Sequence, residues 1–313
     1  MSMSNTSAGW IALVGALALP RSSLAAPPPP PGAPGGTVGG QTAASTGSTE
    51  LEGAGKFATA AAADATTDAT EADVSLGGFL STGNANMGSV TAASKVRVKR
   101  KKHQFSAGFA GNYRRAAAAG KTVAVPTVAN VQGRLRYDYF VHPRVSLFAM
   151  LTARHDKFQG LQARVNADVG AAFYLINDPK NRLWTEVGYD FQFDRFLIEA
   201  TYQKDADGAV VLDDMGDPVI AIPRNRYNHA VRLFGGYANN INDKVTFATG
   251  VEYLQSVQYA PRWRINWDTS LTANLVGRLA IALTFTARVD NNPAPGIRKV
   301  DTITAASLIY RFF

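Results

Sequence analysis

From Leu161 to Leu175 the chain alternates without a break. Leu161, Ala163, Val165, Ala167, Val169, Ala171, Phe173 and Leu175 fall on one face, and Gln162, Arg164, Asn166, Asp168, Gly170 and Tyr174 on the other. A helix, with its period of about 3.6, would scatter those charges around its circumference, so the segment reads as a strand with one apolar and one polar face. The pattern recurs. Thr185, Val187, Tyr189, Phe191 and Phe193 alternate with Glu186, Gly188, Asp190, Gln192 and Asp194, and Trp263, Ile265, Trp267, Thr269 and Leu271 alternate with Arg264, Asn266, Asp268 and Ser270.

Read this way, the chain predicts strands near 73 to 83, 87 to 99, 103 to 114, 128 to 141, 145 to 156, 161 to 175, 182 to 194, 226 to 239, 245 to 258, 262 to 275, 279 to 290 and 300 to 313. About twelve strands is the even number expected of a bacterial membrane barrel. Their connections alternate too. Lys101-Lys102, His142-Pro143-Arg144, Asp178-Pro179-Lys180-Asn181, Asn240 to Lys244 and Gly277-Arg278 are tight, whereas Ala116 to Thr127, Arg195 to Asn225 and Asn291 to Lys299 are longer. Short turns are periplasmic in such barrels, which puts both termini on that side. A soluble β-sandwich also alternates, but its polar face looks into water and carries Lys and Glu against a core of Leu, Ile and Phe. Here the apolar face is light, and Tyr137, Tyr139, Tyr237, Trp263, Tyr310 and Phe312 gather near strand ends, as interfacial girdles do. The last stretch, Val300 to Phe313, is a strand ending in aromatics that would leave a sticky edge unless a barrel closed over it. The expected fold is therefore all-β: a transmembrane antiparallel up-and-down β-barrel behind a disordered N-terminal segment.

Composition agrees. With 46% hydrophobic and 18% charged residues in 313, the chain can shield a large apolar surface. No run approaches the roughly 18 to 20 apolar residues of a spanning helix. The absence of cysteine rules out disulfides, thiolate metal sites and lipid attachment at an N-terminal Cys. The net charge of +8 is mostly interleaved with apolar residues rather than gathered on one face. Trp10 to Leu19 has the length of a signal-peptide core, and Ser23-Leu24-Ala25 offers small residues for cleavage, although Met1 to Gly9 contains no Lys or Arg. Residues 1–25 are thus expected to be a signal peptide. Residues 26–72, rich in Pro, Gly, Ala, Ser and Thr, read as a low-complexity periplasmic linker, and 73–313 as the barrel.

The run Gly77-Gly78-Phe79-Leu80-Ser81-Thr82-Gly83-Asn84 and the ending Ala306-Ser307-Leu308-Ile309-Tyr310-Arg311-Phe312 resemble the salt-induced outer-membrane protein family, also called domain of unknown function 481. The likeness spans roughly residues 73 to 313. It implies an outer-membrane barrel with no assigned activity. The extra Phe313 departs from a Tyr-x-Phe close, so the barrel-assembly machinery would read Leu308, Tyr310, Phe312 and Phe313 with one residue of extension.

Continuing the alternation sends Arg134, Arg136, Asp138, Arg154, Arg164, Asp168, Glu186, Asp190, Arg232, Glu252, Arg264, Asp268 and Arg288 into the interior, with Asp290 and Arg311. These groups either neutralise one another and plug the lumen, or line a narrow aqueous passage with a mild anion preference. For catalysis, His103 and His142 fall at turns and His155 at a loop, and only His229 falls on a lipid-facing strand position, with no Ser plainly paired to it. No cofactor is expected. Asp205-Ala206-Asp207-Gly208 and Asp213-Asp214-Met215-Gly216-Asp217 lack the closing Glu of a calcium loop and read as a solvated hairpin tip that could at most bridge lipopolysaccharide. The basic run Lys99-Arg100-Lys101-Lys102-His103 has no stacking platform for nucleic acid and reads as a turn near anionic headgroups. The expected function is a non-enzymatic barrel, a narrow pore or an envelope-stabilising scaffold, with outer-membrane lipids, including lipopolysaccharide, and the assembly machinery as partners. The alternatives are a membrane-lipid hydrolase using His229 and a surface receptor or adhesin using the 195–225 loop.

Overall fold

The computed structural model describes residues 68–81, 87–117, 123–178, 180–205, 208–293 and 299–311. The expected signal peptide and nearly all of the expected linker lie outside the described residues, as do Phe312 and Phe313. Twelve strands run in chain order: β1 Ala69–Ser81, β2 Met87–Arg100, β3 His103–Ala116, β4 Val125–His142, β5 Val145–Asp156, β6 Leu161–Asn177, β7 Asn181–Phe196, β8 Asn225–Asn240, β9 Val245–Ser256, β10 Trp263–Asn274, β11 Leu279–Asp290 and β12 Val300–Arg311. Each pairs antiparallel with its sequence neighbours, and β1 meets β12 to close the barrel, from Asp73↔Arg311 to Gly77↔Ser307. Closure gives every strand two partners, which is what lets a sheet stand in lipid without orphaned backbone groups.

The barrel is built inside out. Leu135, Tyr137, Leu147, Leu151, Val169, Val187, Leu233, Val251, Leu271 and Leu283 are exposed on the outer wall, while the polar members of the same strands are buried within. Tyr137, Tyr139 and Tyr310 are also exposed on that wall. The links between β2 and β3, β4 and β5, β6 and β7, β8 and β9, and β10 and β11 are short, and the long connections lie at the other end. Both β1 and β12 therefore have their outer chain ends on the short-turn side.

Three details differ from the sequence reading. β1 begins at Ala69, inside the expected linker, because its small residues continue the ladder with β2 from Ala69↔Lys99. Composition alone read them as spacer. The adjacent turn is clamped to this start: Asp68 accepts from the Lys101 backbone N–H at 2.8 Å, and Arg100 donates to the Ala69 carbonyl at 3.0 Å. Lys101 takes a positive φ of 52° there, as a two-residue hairpin turn requires. Second, Leu161 is buried rather than outward, because the register shifts between Leu161 and Ala163 and the extra residue reverses its face. Third, Lys99 belongs to the interior, with Nζ 4.9 Å from the centre of the Phe140 ring, and not to a solvated turn.

The long connection between β7 and β8 folds on itself as three short extended pieces, with Tyr202↔Ile220, Lys204↔Val210 and Leu212↔Pro218 bridged. Asp205 accepts from the Ala209 N–H, and Asp213 from the Met215 and Asp217 N–H groups, so these carboxylates close turns. Among the described residues no group of three or more carboxylates or histidines is placed to hold a metal ion.

Interior packing depends on glycine at one height. Gly170 and Gly188 face each other on β6 and β7, and the Phe148 ring lies over them. A Cβ on Gly170 would meet the Val187 carbonyl oxygen and would stand 2.8 Å from both Gly188 Cα and Phe148 Cζ. Gly170→Val is expected to destabilise the barrel by about 1–3 kcal/mol, read as a lower urea midpoint in lipid vesicles. Gly235→Ala, where a Cβ meets nothing within 4 Å, should stay within about 0.5 kcal/mol of wild type.

Candidate functional site

Every residue expected in the interior, from Arg134 through Arg288, is 5% exposed or less. The lumen they fill has three levels. Nearest the short turns lies an apolar floor of Phe140, Phe148, Met150, Tyr174, Trp184 and Phe234. The sequence reading missed it by following only the charges. The signal was present, since Phe140 shares parity with Arg136 and Asp138, Trp184 with Glu186, and Phe234 with Arg232. Gly236, paired with Trp184 across β7 and β8, leaves the space the indole occupies.

Above the floor a chain of ion pairs crosses the lumen. Arg136 donates to Asp138 at 2.8 Å and to Glu186 at 2.9 Å. Glu186 also accepts from Arg232 at 2.7 Å, Arg232 donates to Glu252 at 2.6 Å, and the other Glu252 oxygen accepts from Asn266 at 2.7 Å. Strands β5 and β6 stand between β4 and β7, so the Arg136–Glu186 contact is a chord through the interior rather than a neighbour pair. Floor and chain are joined by cation–π contacts: the Arg136 guanidinium lies 4.3 Å from the Phe148 ring centre, and Arg232 lies 5.6 Å from Phe148 and 5.5 Å from Phe234. Asp168 opposes Asp190 on β6 and β7, with Arg232 3.9 Å from Asp168 and Asn166 donating to Asp190 at 2.7 Å.

Nearest the long loops the interior is rich in arginine. Arg164 grips Asp194 with two bonds of 2.5 and 2.7 Å, and Arg226 stands 3.9 Å from the same carboxylate. Gln192 donates to Asp194 at 2.6 Å and accepts from Arg264, a second crossing, here from β10 to β7. To the sides, Arg288 holds Asp268 through two contacts of 2.9 Å, and Arg154 meets Asp156 at 2.7 Å. Arg262, on the turn before β10, is buried as well; it opens the expected strand from 262 and shares parity with Arg264, yet it was not among the residues expected in the interior. Burial, and then the neighbouring Arg264, Arg226 and Arg164, push its side chain down to about 9.

The histidines sit outside this lumen. His229 Nδ1 is hydrogen-bonded to the Tyr189 hydroxyl, and its ring lies 5.2 Å from that of Phe191, in an aromatic patch on the outer wall. His103 is placed similarly at the opposite end, 2.6 Å from the Tyr137 hydroxyl. His155 lies on the outer face of β5, against the Gln162 carbonyl at 2.9 Å, and His142 accepts from the Arg144 N–H in its turn. Of the expected assembly residues, Leu308 and Tyr310 are exposed on the outer face of β12.

No curated protein matches the chain. Among solved structures it is similar to the NanC porin, at 12% identity and a TM-score of 0.44 over 77% of this chain and 100% of that one. It is also similar to the translocator domain of the autotransporter NalP from Neisseria meningitidis, at 10% identity and a TM-score of 0.41 over 78% and 87%. The TodX monoaromatic hydrocarbon channel, a deltaS2 mutant, gives 8% identity and 0.35 over 77% and 88%. A family model described as a protein of unknown function, DUF481, matches residues 74–312. That match takes in the whole run of strands apart from the first residues of β1, and the chain belongs to this family.

Proposed function

We propose that the protein is a narrow, non-enzymatic solute channel of the outer membrane whose waist is held closed by its own side chains. The observation that carries this is the Arg136–Glu186–Arg232–Glu252 chain across the lumen. Burying so many charges is costly, and a scaffold could fill its interior with apolar residues at no loss of stability. A passage, by contrast, needs a hydrophilic wall. Among the described residues the waist is filled by side chains and not by a segment of backbone, the ion pairs lying above the apolar floor. The exposed apolar wall calls for lipid, including lipopolysaccharide in the outer leaflet. The outward Leu308 and Tyr310, continued by Phe312 and Phe313, are the residues we assign to recognition by the barrel-assembly machinery.

Single-channel recording in a planar bilayer tests this reading. Wild type should give rare, small steps, and Arg136→Ala should raise the open fraction at least about fivefold by breaking the chord. Neutralising Arg134 and Arg164 should lower anion preference. If folded, inserted wild type and Arg136→Ala are both silent, the barrel is a scaffold. For the enzymatic alternative, His229 has a Tyr hydroxyl at its ring nitrogen on the lipid side. Purified protein is expected to release no fatty acid from phospholipid vesicles, and His229→Ala to change nothing. Release lost in His229→Ala would establish the hydrolase instead.

A further inference from the structure

The arginines at the loop end of the lumen carry more hydrogen-bonding capacity than the protein uses. Arg164 Nη1, Arg226 Nε, Arg262 Nε and Nη2, and Arg264 Nη1 are buried and have no hydrogen-bond partner. Arg164, Arg262 and Arg264 are each more than nine-tenths buried. The four belong to one group. Arg164 and Arg226 converge on Asp194, Arg264 reaches it through Gln192, and Arg262 stands two residues before Arg264. The carboxylates facing them are Asp194, already gripped by Arg164, and Asp290, which accepts from the Asn292 N–H at 2.9 Å. Asp190, below, is engaged by Asn166 and also faces Arg264. Four cations thus share three carboxylates, and guanidinium N–H groups denied both water and a partner cost free energy. The depressed affinity of Arg262 for its proton comes first from burial and then from the positive charge packed beside it.

We propose that Arg164, Arg226, Arg262 and Arg264 form a binding site for a small soluble oxyanion carrying a phosphate or carboxylate group. Planar guanidinium forks match the paired oxygens of such groups. The site is inside the lumen, behind the barrel wall, where a headgroup anchored in the membrane plane does not reach. The occupant is therefore a free solute rather than a lipid. This rests on the reading of the lumen as a solute passage, and it adds the class of solute and the place where it is held first.

Calorimetric titration of the detergent-solubilised barrel with inorganic phosphate, against chloride at equal ionic strength, tests the site without requiring conduction. Wild type should bind phosphate saturably and chloride much more weakly. Arg262→Gln should weaken phosphate binding at least tenfold. Arg262 lies outside the strands, so the variant should keep its heat-modifiable folded band on a gel. Arg226→Gln provides a second variant at the rim of the site, with the same expected loss. Arg278→Gln, at the exposed short-turn end, should leave binding unchanged. Absence of saturable binding, or equal loss in Arg278→Gln and Arg262→Gln, would overturn the site. Such a failure would be distinct from failure of the channel, which is read from the bilayer current of Arg136→Ala.

Discussion

The carboxylate of Glu186 is held from two sides, by Arg136 from β4 and by Arg232 from β8, and the interior is arranged around that shared acceptor. In a soluble protein such a cluster would be an expensive exception to an apolar core. Here lipid takes the apolar face of every strand, the polar face turns inward, and its charges are held largely by one another. The same reversal explains why the buried side chains include so many of the arginines and acids of the strands, while leucine, valine and tyrosine cover the outside. A pair between β4 and β7 also ties together parts of the wall that share no backbone hydrogen bonds.

The aromatic floor supports this arrangement from below. Phe148 sets its Cζ end against Gly170 and Gly188 and presents a ring face to Arg136, so one ring is fixed by backbone at its tip and by a cation over its face. Trp184 sits over Gly236 in the same manner. Small residues in one strand thus position large ones in the next, and the large ones set the height at which the guanidiniums lie. Among the described residues, Ala280, Ala282 and Ile309 form a second, smaller cluster on β11 and β12.

Period-two alternation made the strands, their number and the inward parity of the charged residues legible, because each strand must obey the same rule from end to end. It failed at Leu161, where a bulge inserts a residue and reverses the faces, since bulges leave no fixed mark in composition. It missed the start of β1, where small residues look like linker but are held by a long partner strand. Lys99 was read with its basic neighbours, yet V-R-V-K already puts Arg97 and Lys99 on one face. What no local pattern contains is which inward residues meet across the barrel. The contacts of Arg136 with Glu186 and of Arg264 with Gln192 depend on strand tilt and closure.

Pairing of side chains from non-adjacent strands through the lumen is measured directly by a double-mutant cycle. Arg136→Met, Glu186→Gln and the double variant would be unfolded reversibly in urea from lipid vesicles. A coupling free energy of about 2 kcal/mol or more is expected, well above the roughly 0.5 kcal/mol seen for independent sites. Additive effects within that margin would contradict the crossing and the closed waist with it.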